Sequence, residues 1–524
     1  MTQTGDLYGA VSIGEMLLGA LQQDPARPAI ILGDGTVVTI GDMNALLGGY
    51  LAALDAAGLK RGARIGILSR NRPEVAHVAN AVTLANMCLV PLHPMGSVDD
   101  FTYVAQDAGL DALVFDPTYY DDQVAQVVRR VPGLKTLLAL GDSQVGQNLL
   151  ETVRTIDPAP VEARPATPDD ICRLAYSGGT TGKPKAIMLS QRASQMCLVI
   201  QLSEWDWPQE VRTLICAPLS HSGSAMLLPT LLKGGVMVVL DGFEPEKVMQ
   251  TIQDHRISCT LLVPTMIYAL LDHPRFADFD LSSLKAIYYG ASSISPARLR
   301  EGIAKLGPVF FQFYGQSEAP MTVCVMKQKD HDPDNPLRMA SCGRPVPWVR
   351  VKLLDDRNNE VPDGEPGEIC VQGPLVMSGY LDKPEQTSEV FDGGWLHTGD
   401  VAIKDPDGFL RIVDRKKDMI ITGGFNVYPR EIEDVLITHE AVRESSVVGL
   451  PDEKWGERVV AAVVLEPGRT VAPEELIALV RGRKGPVQAP KHIAFVEALP
   501  LSALGKPDKK AVRVLLAERT AVPA

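Results

Sequence analysis

The chain has 524 residues, a length at which one hydrophobic core no longer suffices and at least two domains are expected. Its hydrophobic content of 45% and charged content of 22% are typical of a soluble globular protein. The net charge of -13 argues against a nucleic-acid-binding surface and against a general binder of anionic membranes.

Eight cysteines are dispersed along the chain, and none forms a C-x-x-C pair. Most lie in apolar surroundings, so the sequence predicts buried free thiols and neither a disulfide framework nor a zinc site. The first basic residue is Arg27, so a secretory signal is not expected. No apolar run approaches the ~20 residues that span a bilayer. We therefore expect a cytoplasmic protein without a transmembrane segment.

The first 140 residues show the alternation of an α/β protein. A hairpin with strands at 30–32 and 37–39 precedes a predicted helix over 41–57, and a second helix follows near 74–85. Buried strands are predicted at 64–68, 88–92, 112–115 and 136–140. Strand, helix and strand at this spacing form a βαβ unit with a parallel sheet. The polar and proline-rich residues 141–170 predict a surface loop.

A glycine-rich segment, Tyr-Ser-Gly-Gly-Thr-Thr-Gly-Lys-Pro-Lys, occupies residues 176–185 and follows a predicted strand at 171–175. Glycines let the backbone approach an anion, and successive N–H groups form an anion nest. The hydroxyls and Lys185 add donors and charge, so the segment is predicted to hold phosphates. It is not a Walker A loop, because Pro184 follows Lys183 where Ser or Thr would be needed. An ordinary surface turn is the alternative.

A second α/β unit follows, and two of its strands end in clusters of small residues. The clusters are Gly290-Ala291-Ser292 and Gly315-Gln316-Ser317-Glu318, and open α/β sheets bind ligands at such carboxyl ends. His221 follows another strand without a metal partner at ligand spacing, so on position alone it is an ordinary loop histidine. The predicted strands are 186–190, 214–219, 236–240, 259–264, 284–289 and 309–314.

From about Gly343 the sequence is typical of an all-β segment, which predicts a small distorted barrel. This segment contains the run Trp395-Leu396-His397-Thr398-Gly399-Asp400. The polar break Lys416-Lys417-Asp418 is the predicted boundary, giving domains 1–416 and 417–524. The remainder is mixed α+β, with strands at 419–421, 445–448, 459–465 and 493–496 and helices near 429–438, 473–481 and 507–517.

Five motifs occur in order, and together they resemble the adenylate-forming superfamily over essentially the whole chain. They are the phosphate segment, Tyr314-Gly315-Gln316-Ser317-Glu318, Trp395–Asp400, Asp414-Arg415-Lys416-Lys417-Asp418 and Gly505-Lys506. The superfamily includes acyl-CoA synthetases, carrier-protein adenylation domains and firefly luciferase, and the acyl-CoA synthetase or fatty-acid–CoA ligase branch fits best. The resemblance implies an α/β fold. A large N-terminal domain would hold two doubly wound α/β subdomains plus a small distorted β-barrel, and a small mobile α+β C-terminal domain would follow.

The resemblance also implies the chemistry of an AMP-forming acid–thiol ligase. A carboxylate attacks the α-phosphate of ATP to give an acyl-adenylate and pyrophosphate, and the thiol of coenzyme A then displaces AMP. The first step joins two anions, so the site must neutralise and orient them. The implied ligands are ATP, Mg²⁺, coenzyme A and a carboxylic acid. No nucleic-acid partner is expected, and a homodimer is compatible with the sequence.

Each motif residue takes an implied role. Lys506 would be catalytic, with Ser317 at the α-phosphate, Glu318 as the Mg²⁺ ligand and His221 closing over the acid. Lys417 would be the hinge between the two half-reactions. A solvated loop acid and a surface lysine are the bland alternatives for Glu318 and Lys506. The cofactor-binding residues would be Ser177, Gly178, Gly179, Thr180, Thr181, Gly182 and Lys185 at the phosphates, Ala291, Ser292, Tyr314 and Gly315 at the adenine, Asp400 and Arg415 at the ribose, and Gly423 and Gly424 at the pantetheine arm.

The acid is predicted to be a hydrophobic monocarboxylate of medium or greater length. An aryl, alicyclic or sterol-side-chain acid is the second choice. Other functions left open are a fatty acyl-AMP ligase or stand-alone adenylation enzyme without CoA transfer, a carrier-protein adenylation domain, a luciferase and a nucleotide sensor. The pocket candidates are small or apolar: His221, Ser222, Ser224, Ala225, Val263, Pro264, Tyr289, Gly290, Gly315, Pro320 and Met321.

Overall fold

The computed structural model describes residues 11–176, 184–423, 425–452, 454–501 and 507–521. These residues form two compact units. The first comprises Lys185–Arg350, Val371–Phe391 and the described part of Met1–Ser177, and the second consists mainly of Val351–Cys370 and the described part of Asp392–Ala524. The predicted all-β segment thus groups with the C-terminal residues. The predicted boundary after residue 416 is the point about which the C-terminal domain would move, and it stays a prediction.

The elements follow the predicted alternation of strands and helices. The strands are β1 Pro28–Ile31, β2 Val37–Thr39, β3 Arg64–Leu68, β4 Cys88–Pro91, β5 Ala112–Phe115, β6 Thr136–Ala139, β7 Gln147–Asn148, β8 Ile171–Tyr176, β9 Ala186–Ser190, β10 Arg212–Ile215, β11 Val236–Val239, β12 Cys259–Leu262, β13 Ala286–Tyr289, β14 Phe310–Tyr314, β15 Cys324–Met326, β16 Arg344–Pro345, β17 Arg350–Leu354, β18 Pro366–Gln372, β19 Gly379–Tyr380, β20 Leu396–Lys404, β21 Leu410–Arg415, β22 Ile420–Thr422, β23 Phe425–Val427, β24 Val442–Asp452, β25 Gly456–Leu465 and β26 His492–Phe495. The helices are α1 Ile13–Leu21, α2 Ile40–Ala56, α3 Pro73–Leu84, α4 Val98–Asp107, α5 Pro117–Arg130, α6 Leu149–Thr155, α7 Gln191–Glu204, α8 Leu227–Leu232, α9 Pro245–His255, α10 Pro264–Leu271, α11 Pro296–Leu306, α12 Pro336–Met339, α13 Pro384–Val390, α14 Pro429–Leu436, α15 Pro473–Lys484 and α16 Lys509–Ala521.

The first unit contains two largely parallel sheets. One has the strand order β19-β9-β8-β4-β3-β5-β6-β7, in which β8 to β7 run parallel and β9 is antiparallel to both its neighbours. The other has the order β16-β15-β14-β13-β12-β10-β11-β1-β2, with a parallel centre and antiparallel edges. The two predicted α/β subdomains are therefore confirmed.

The central strands are apolar on both faces because helices cover parallel sheets from both sides. Every residue of β5, β11 and β13 is buried. Two hydrophobic clusters follow from this, one around Phe115 and Phe101 and one around Tyr289 and Phe310. All eight cysteines are free, and seven of them are buried, which confirms the predicted thiols.

The prediction of a loop over 141–170 is wrong in part, because β7 and the short helix α6 lie within it. Asn148 caps α6 by accepting a hydrogen bond from the Glu151 N–H at 3.1 Å, and Leu149 is buried. A helix of seven residues with one buried side chain leaves little periodic signal in a sequence.

The second unit has one four-stranded and one five-stranded sheet. Strands of the predicted all-β segment form the first, in the order β17-β18-β20-β21. The segment is not all-β, because it also contains helix α13, and its strand β19 pairs with β9 of the first unit. The five-stranded sheet has the order β23-β22-β25-β24, with β26 parallel to β25. Helices α14 and α15 contribute Ile432 and Leu476 to one core of this unit, and α16 contributes Leu516 to the other. The mixed α+β C-terminal part is therefore confirmed. Among the described residues, no helix combines the length and hydropathy that a bilayer span requires.

Candidate active site

The carboxyl ends of β14, β13, β12 and β10 lie along one edge of the nine-stranded sheet, because these strands are parallel and adjacent. Residues 290–292 follow β13 and residues 315–318 follow β14. The structure thus brings the two predicted small-residue clusters to neighbouring strand ends. This is the position at which open α/β sheets bind ligands.

Glu318 is connected to Lys185 through Tyr380. The Tyr380 hydroxyl donates a hydrogen bond of 3.0 Å to Glu318 Oε1, and Lys185 Nζ lies 4.5 Å from the centroid of the same ring. Strand β19 positions Tyr380, since it pairs with β9 with Tyr380 opposite Ile187. Burial and the Glu318 carboxylate raise the pKa of Tyr380, so its hydroxyl remains a donor. The structure therefore places a cation and a carboxylate around one tyrosine.

The loops after β13 and β14 are held in unusual backbone conformations. Ala291 has φ 64° and Met321 has φ 54°, values that non-glycine residues adopt rarely. Gly315 cannot carry a side chain here, because a Cβ would lie 2.5 Å from the Met321 nitrogen. Ala291 and Ser317 are exposed, Ser292 is partly exposed and Tyr314 is buried at the end of its strand. Such strain is concentrated at functional sites.

One pocket candidate is wrong. Tyr289 is fully buried, and its hydroxyl donates to Gln312 Oε1 at 3.1 Å and lies 3.0 Å from His331 Nε2. It is a core residue of β13, because its side chain belongs to the same hydrophobic cluster as Phe310.

His221 stands on a loop that Asn71 holds to the other sheet of the unit. The buried Asn71 amide donates to the Ala217 carbonyl at 2.8 Å and accepts from the Leu219 N–H at 2.7 Å. Asn71 follows β3, whereas Ala217 follows β10. The carboxyl ends of the two sheets therefore meet at this loop.

The His221 ring is enclosed and stays neutral. Its centroid lies 4.7 Å from that of His93, at an interplanar angle of 69°, and its Nδ1 lies 2.8 Å from Ser220 Oγ. Burial, His93 and Arg173 together lower the pKa of His221 to about 4. His221 can therefore contribute shape and a neutral hydrogen-bonding group near pH 7, where an ordinary loop histidine is partly protonated.

Asp400 and Arg415 lie opposite each other on the antiparallel pair β20–β21 of the second unit. Arg415 Nε is 2.6 Å from Asp400 Oδ1, and Asp400 is buried. The structure thus brings together the two residues predicted at the ribose. The Asp400 carboxylate is held in position by this ion pair with Arg415 on the neighbouring strand.

Glu368 organises the turn that precedes Asp400. Glu368 Oε1 accepts from the Gly399 N–H at 2.8 Å, and Thr398 Oγ1 donates to the Ile369 carbonyl at 2.7 Å. Burial alone would raise the pKa of Glu368, but bonds from His397, Lys416 and the Gly399 N–H outweigh it and lower that pKa. A charged carboxylate thus anchors the turn from β18.

Glu368, Cys370 and His397 present ligand atoms within 4.8 Å of one another. These atoms already bind each other: His397 Nδ1 lies 3.0 Å from Glu368 Oε2 and 3.4 Å from Cys370 Sγ, and Lys416 Nζ lies 3.0 Å from the same Oε2. Burial raises the pKa of the Cys370 thiol to about 12. We therefore interpret the cluster as structural.

Gly423, predicted at the pantetheine arm, is in the left-handed region with φ 59°. A Cβ there would lie 2.8 Å from the Trp455 ring, so only glycine fits. Lys417 lies in a single 3₁₀ turn, Lys416–Asp418, between β21 and β22. A short connection of this kind suits the predicted hinge, which remains a prediction.

Several predicted site residues lie outside the described residues. They are Ser177, Gly178, Gly179, Thr180, Thr181, Gly182, Gly424 and Lys506.

Sequence reasoning missed Tyr380, His93 and Glu368. Tyr380 is 62 residues from Glu318 in the chain, so their contact leaves no local pattern. His93 does carry a signal, because it follows the carboxyl end of β4 in the same way that His221 follows β10. Glu368 leaves no local signal, because its partners His397, Gly399 and Lys416 lie 29, 31 and 48 residues away in the chain.

Comparison with known proteins identifies the family of the chain. The family described as AMP-binding enzyme matches residues 19–381, and the family described as AMP-binding enzyme C-terminal domain matches residues 431–506. The chain is 47% identical over 513 residues to the medium/long-chain-fatty-acid–CoA ligase FadD8 of Mycobacterium tuberculosis, covering 95% of this chain and 89% of that protein.

A second relative is the feruloyl-CoA synthase of an Amycolatopsis species, which is 34% identical over 503 residues, with 96% of this chain and 98% of that protein covered. Among solved structures, the amide bond synthetase McbA from Marinactinospora thermotolerans matches with a TM-score of 0.88 at 32% identity, covering 96% of this chain and 99% of that one. The chain therefore belongs to the AMP-binding enzyme family, in the acyl-CoA synthetase branch of the adenylate-forming superfamily, as its five motifs predict.

Proposed function

We propose that this enzyme is an AMP-forming acyl-CoA ligase for hydrophobic monocarboxylic acids of medium or greater length. The observation that carries the proposal is the 47% identity, along 95% of the chain, to a medium/long-chain-fatty-acid–CoA ligase. In the first step, a carboxylate oxygen bonds to the α-phosphorus of ATP, and the bond from that phosphorus to pyrophosphate breaks. In the second, the thiolate of coenzyme A bonds to the acyl carbon, and AMP leaves.

Lys185 and residues 177–182 would bind the β- and γ-phosphates, with the charge of Lys185 supplied at the start of β9. Ser317 would bind the α-phosphate from the loop after β14. Lys506 would bridge the substrate carboxylate and the α-phosphate. These groups would offset the repulsion between the two anions, which is the main electrostatic barrier to the first step.

Glu318 would hold Mg²⁺. Its Oε1 accepts the Tyr380 hydroxyl, while Oε2 has no hydrogen-bond or ion-pair partner among the residues that the structure describes. A carboxylate oxygen is a hard ligand that suits this cation, so the residues present fit it. When bound, Mg²⁺ would supply positive charge against the phosphates.

The remaining predicted residues would bind the nucleotide and the thiol. Asp400 and Arg415 would contact the ribose, and Ala291, Ser292, Tyr314 and Gly315 would surround the adenine. The C-terminal domain, 417–524, would turn at Lys417 after adenylation. Gly423 and Gly424 would then leave room for the pantetheine arm.

An aryl or alicyclic acid is the second candidate, and the feruloyl-CoA synthase relative favours it. The His221 loop and the apolar Val263 and Met321 do not distinguish a chain from a ring. We propose a cytoplasmic location, which the eight free thiols support because disulfides form in oxidising compartments.

The test is acyl-CoA formation with ATP, Mg²⁺ and coenzyme A over acids of graded length, with ferulate and a sterol-derived acid included. We expect equal amounts of AMP and acyl-CoA, with kcat/KM highest for the medium or long chains. A maximum at ferulate would make the second candidate correct. AMP release without acyl-CoA for every acid would overturn the CoA-ligase function.

A further inference from the structure

Arg173 is a partly buried cation that forms no ion pair with a described carboxylate. It lies within β8, the strand that leads into the phosphate segment, and none of the ion pairs among the described residues includes it. Burial lowers its pKa, and its ionisable neighbours are the thiols of Cys172, Cys197 and Cys88. Because arginine stays charged in proteins, a guanidinium that is partly withdrawn from water needs hydrogen-bond acceptors within the protein.

The guanidinium binds the His221 loop at two points. Arg173 Nη2 donates to the Ser220 carbonyl at 3.3 Å, and Nη1 donates to Ser224 Oγ at 3.3 Å. Ser224 Oγ in turn donates to the His221 carbonyl at 2.7 Å. Ser220 and Ser224 stand on either side of His221. The planar fork of an arginine can span two such acceptors, whereas a lysine offers one point of charge.

The groups around the His221 ring favour its neutral form. His93, after β4, and Arg173, on β8, face it from the other sheet, and Ser220 Oγ meets its Nδ1 from its own loop. Burial, His93 and Arg173 lower the pKa of His221 in that order. The guanidinium thus acts on His221 both through the loop and through its charge.

We propose that Arg173 is a positioning residue for the acid: it holds the loop Ser220–Ser224 so that His221 closes over the substrate as a neutral imidazole. This inference rests on the proposed function, in which His221 covers the bound acid. Since β8 continues into the phosphate segment, Arg173 also connects the acid side of the site to the strand that precedes the phosphates.

The test compares Arg173→Met and Arg173→Lys with the wild-type enzyme. For Arg173→Met we expect the KM for the acid to rise about tenfold or more, while the KM for ATP changes less than about twofold. Arg173→Lys, which keeps the charge and loses the fork, should show an intermediate rise. The control is Arg192→Met on α7, an exposed arginine paired with Asp169, which should leave both KM values unchanged.

A second readout separates positioning from simple packing. Histidine labelled with ¹³C at Cε1 reports the protonation of His221 by NMR. In wild type its pKa should lie near 4, and in Arg173→Met it should rise only in part, because burial and His93 remain, whereas Arg173→Lys should keep it at the wild-type value. A change in packing alone would not depend on charge, so it would affect the pKa of His221 alike in Arg173→Met and Arg173→Lys.

If Arg173→Met does not fold, Ser224→Ala provides the test, because it removes the hydroxyl between the guanidinium and the His221 carbonyl. It should raise the KM for the acid in the same direction. A folded Arg173→Met enzyme with wild-type acid KM and an unchanged His221 pKa would overturn the inference. So would selective loss of activity toward dicarboxylic acids, since Arg173 would then bind substrate itself. A wild-type enzyme that forms no acyl-CoA would instead overturn the proposed function.

Discussion

At the scale of single residues, Tyr380 fixes the orientation of Glu318. Its hydroxyl occupies Oε1 and its ring lies beneath the Lys185 ammonium, so a single side chain contacts an acid and a cation of the proposed phosphate site. The ammonium on the ring face is a cation–π contact, and the hydroxyl is a donor to a charged acceptor. The second carboxylate oxygen of Glu318 therefore has a defined direction, in which it would bind Mg²⁺ under the proposed function.

Tyr380→Phe removes the hydroxyl and keeps the ring. We expect the Mg²⁺ concentration for half-maximal rate to rise and kcat/KM for ATP to fall about tenfold to 150-fold, since a bond to a charged group contributes about 1.5–3 kcal/mol. Steady-state assays over ATP and Mg²⁺ measure both quantities. Tyr119→Phe, at a ring that is 44% exposed, is the matched control. Unchanged Mg²⁺ dependence would show that Tyr380 does not orient the carboxylate.

At the scale of elements, β18 and β20 hold the proposed ribose site together by hydrogen bonds from side chain to backbone across the sheet. Glu368 on β18 accepts the Gly399 N–H of β20, and Asp400 follows one residue later. The backbone at Gly399, within β20, has φ 70°, and glycine also adopts other conformations readily. Strand pairing alone would therefore leave this point of β20 free to change conformation. The buried acid therefore fixes the register of the turn.

Glu368→Gln weakens this network, because a neutral amide replaces the charge that faces Lys416 and His397. We expect a loss of about 1–3 kcal/mol of unfolding free energy and a rise of about tenfold in the KM for ATP. Urea unfolding and initial rates measure the two effects. Glu360→Gln, at an exposed acid paired with Lys352, should change neither. Lower stability with unchanged ATP binding would place Glu368 outside the nucleotide site.

Helices α2 and α3 pack through Tyr50 and His77, whose rings lie 5.9 Å apart. Burial lowers the pKa of His77 to about 4, and its Nδ1 has no hydrogen-bond partner among the described residues. Between pH 6.5 and 4 the unfolded chain binds a proton there that the folded chain does not. Stability therefore rises with pH across that window and falls as the solution is acidified.

His77→Phe keeps an aromatic ring and removes the titration. We expect the loss of unfolding free energy between pH 7 and pH 5 to be smaller than in wild type by about 2 kcal/mol. Denaturant unfolding at the two pH values measures this difference. His492→Gln, at an exposed histidine, should retain the full wild-type loss, and an equal loss in His77→Phe would contradict the account.

The predictable elements were those with a strong apolar run and a marked end. Strands β13 and β14 are examples, since each is fully buried and ends at a glycine, which located both clusters of the site. Helix α6 could not be predicted, because seven residues with one buried side chain carry no clear period. Tyr380 and Glu368 could not be assigned roles, because their contacts depend on strand pairing that no local pattern encodes.

At the scale of the whole molecule, the account requires one chain to perform two half-reactions with different residues. Lys506 would serve the first, and the segment around Gly423 the second. The 3₁₀ turn at Lys417 is the proposed pivot. In this structure, residues 351–370 and 392–416 form one compact unit with the C-terminal residues, which is one of the arrangements that the two half-reactions would require.

Lys506→Ala should remove the first half-reaction and spare the second. We expect adenylation to fall about 100-fold to 1000-fold, because a preorganised charge at the α-phosphate is lost. Thioester formation from supplied acyl-adenylate should change only a few-fold. Lys510→Ala, on the exposed surface of α16, is the control for both assays. Equal loss of both half-reactions would contradict the proposal that Lys506 serves adenylation and not thioester formation.

The central claim, that the acid is activated as an acyl-adenylate, is tested most directly by following the carboxylate oxygen. When a fatty acid with ¹⁸O in both carboxylate positions reacts with ATP and coenzyme A, one ¹⁸O bonds to the α-phosphorus and leaves with AMP. The account predicts AMP carrying one ¹⁸O per acyl-CoA formed, as measured by mass spectrometry. Unlabelled AMP, or ADP with labelled phosphate, would contradict it.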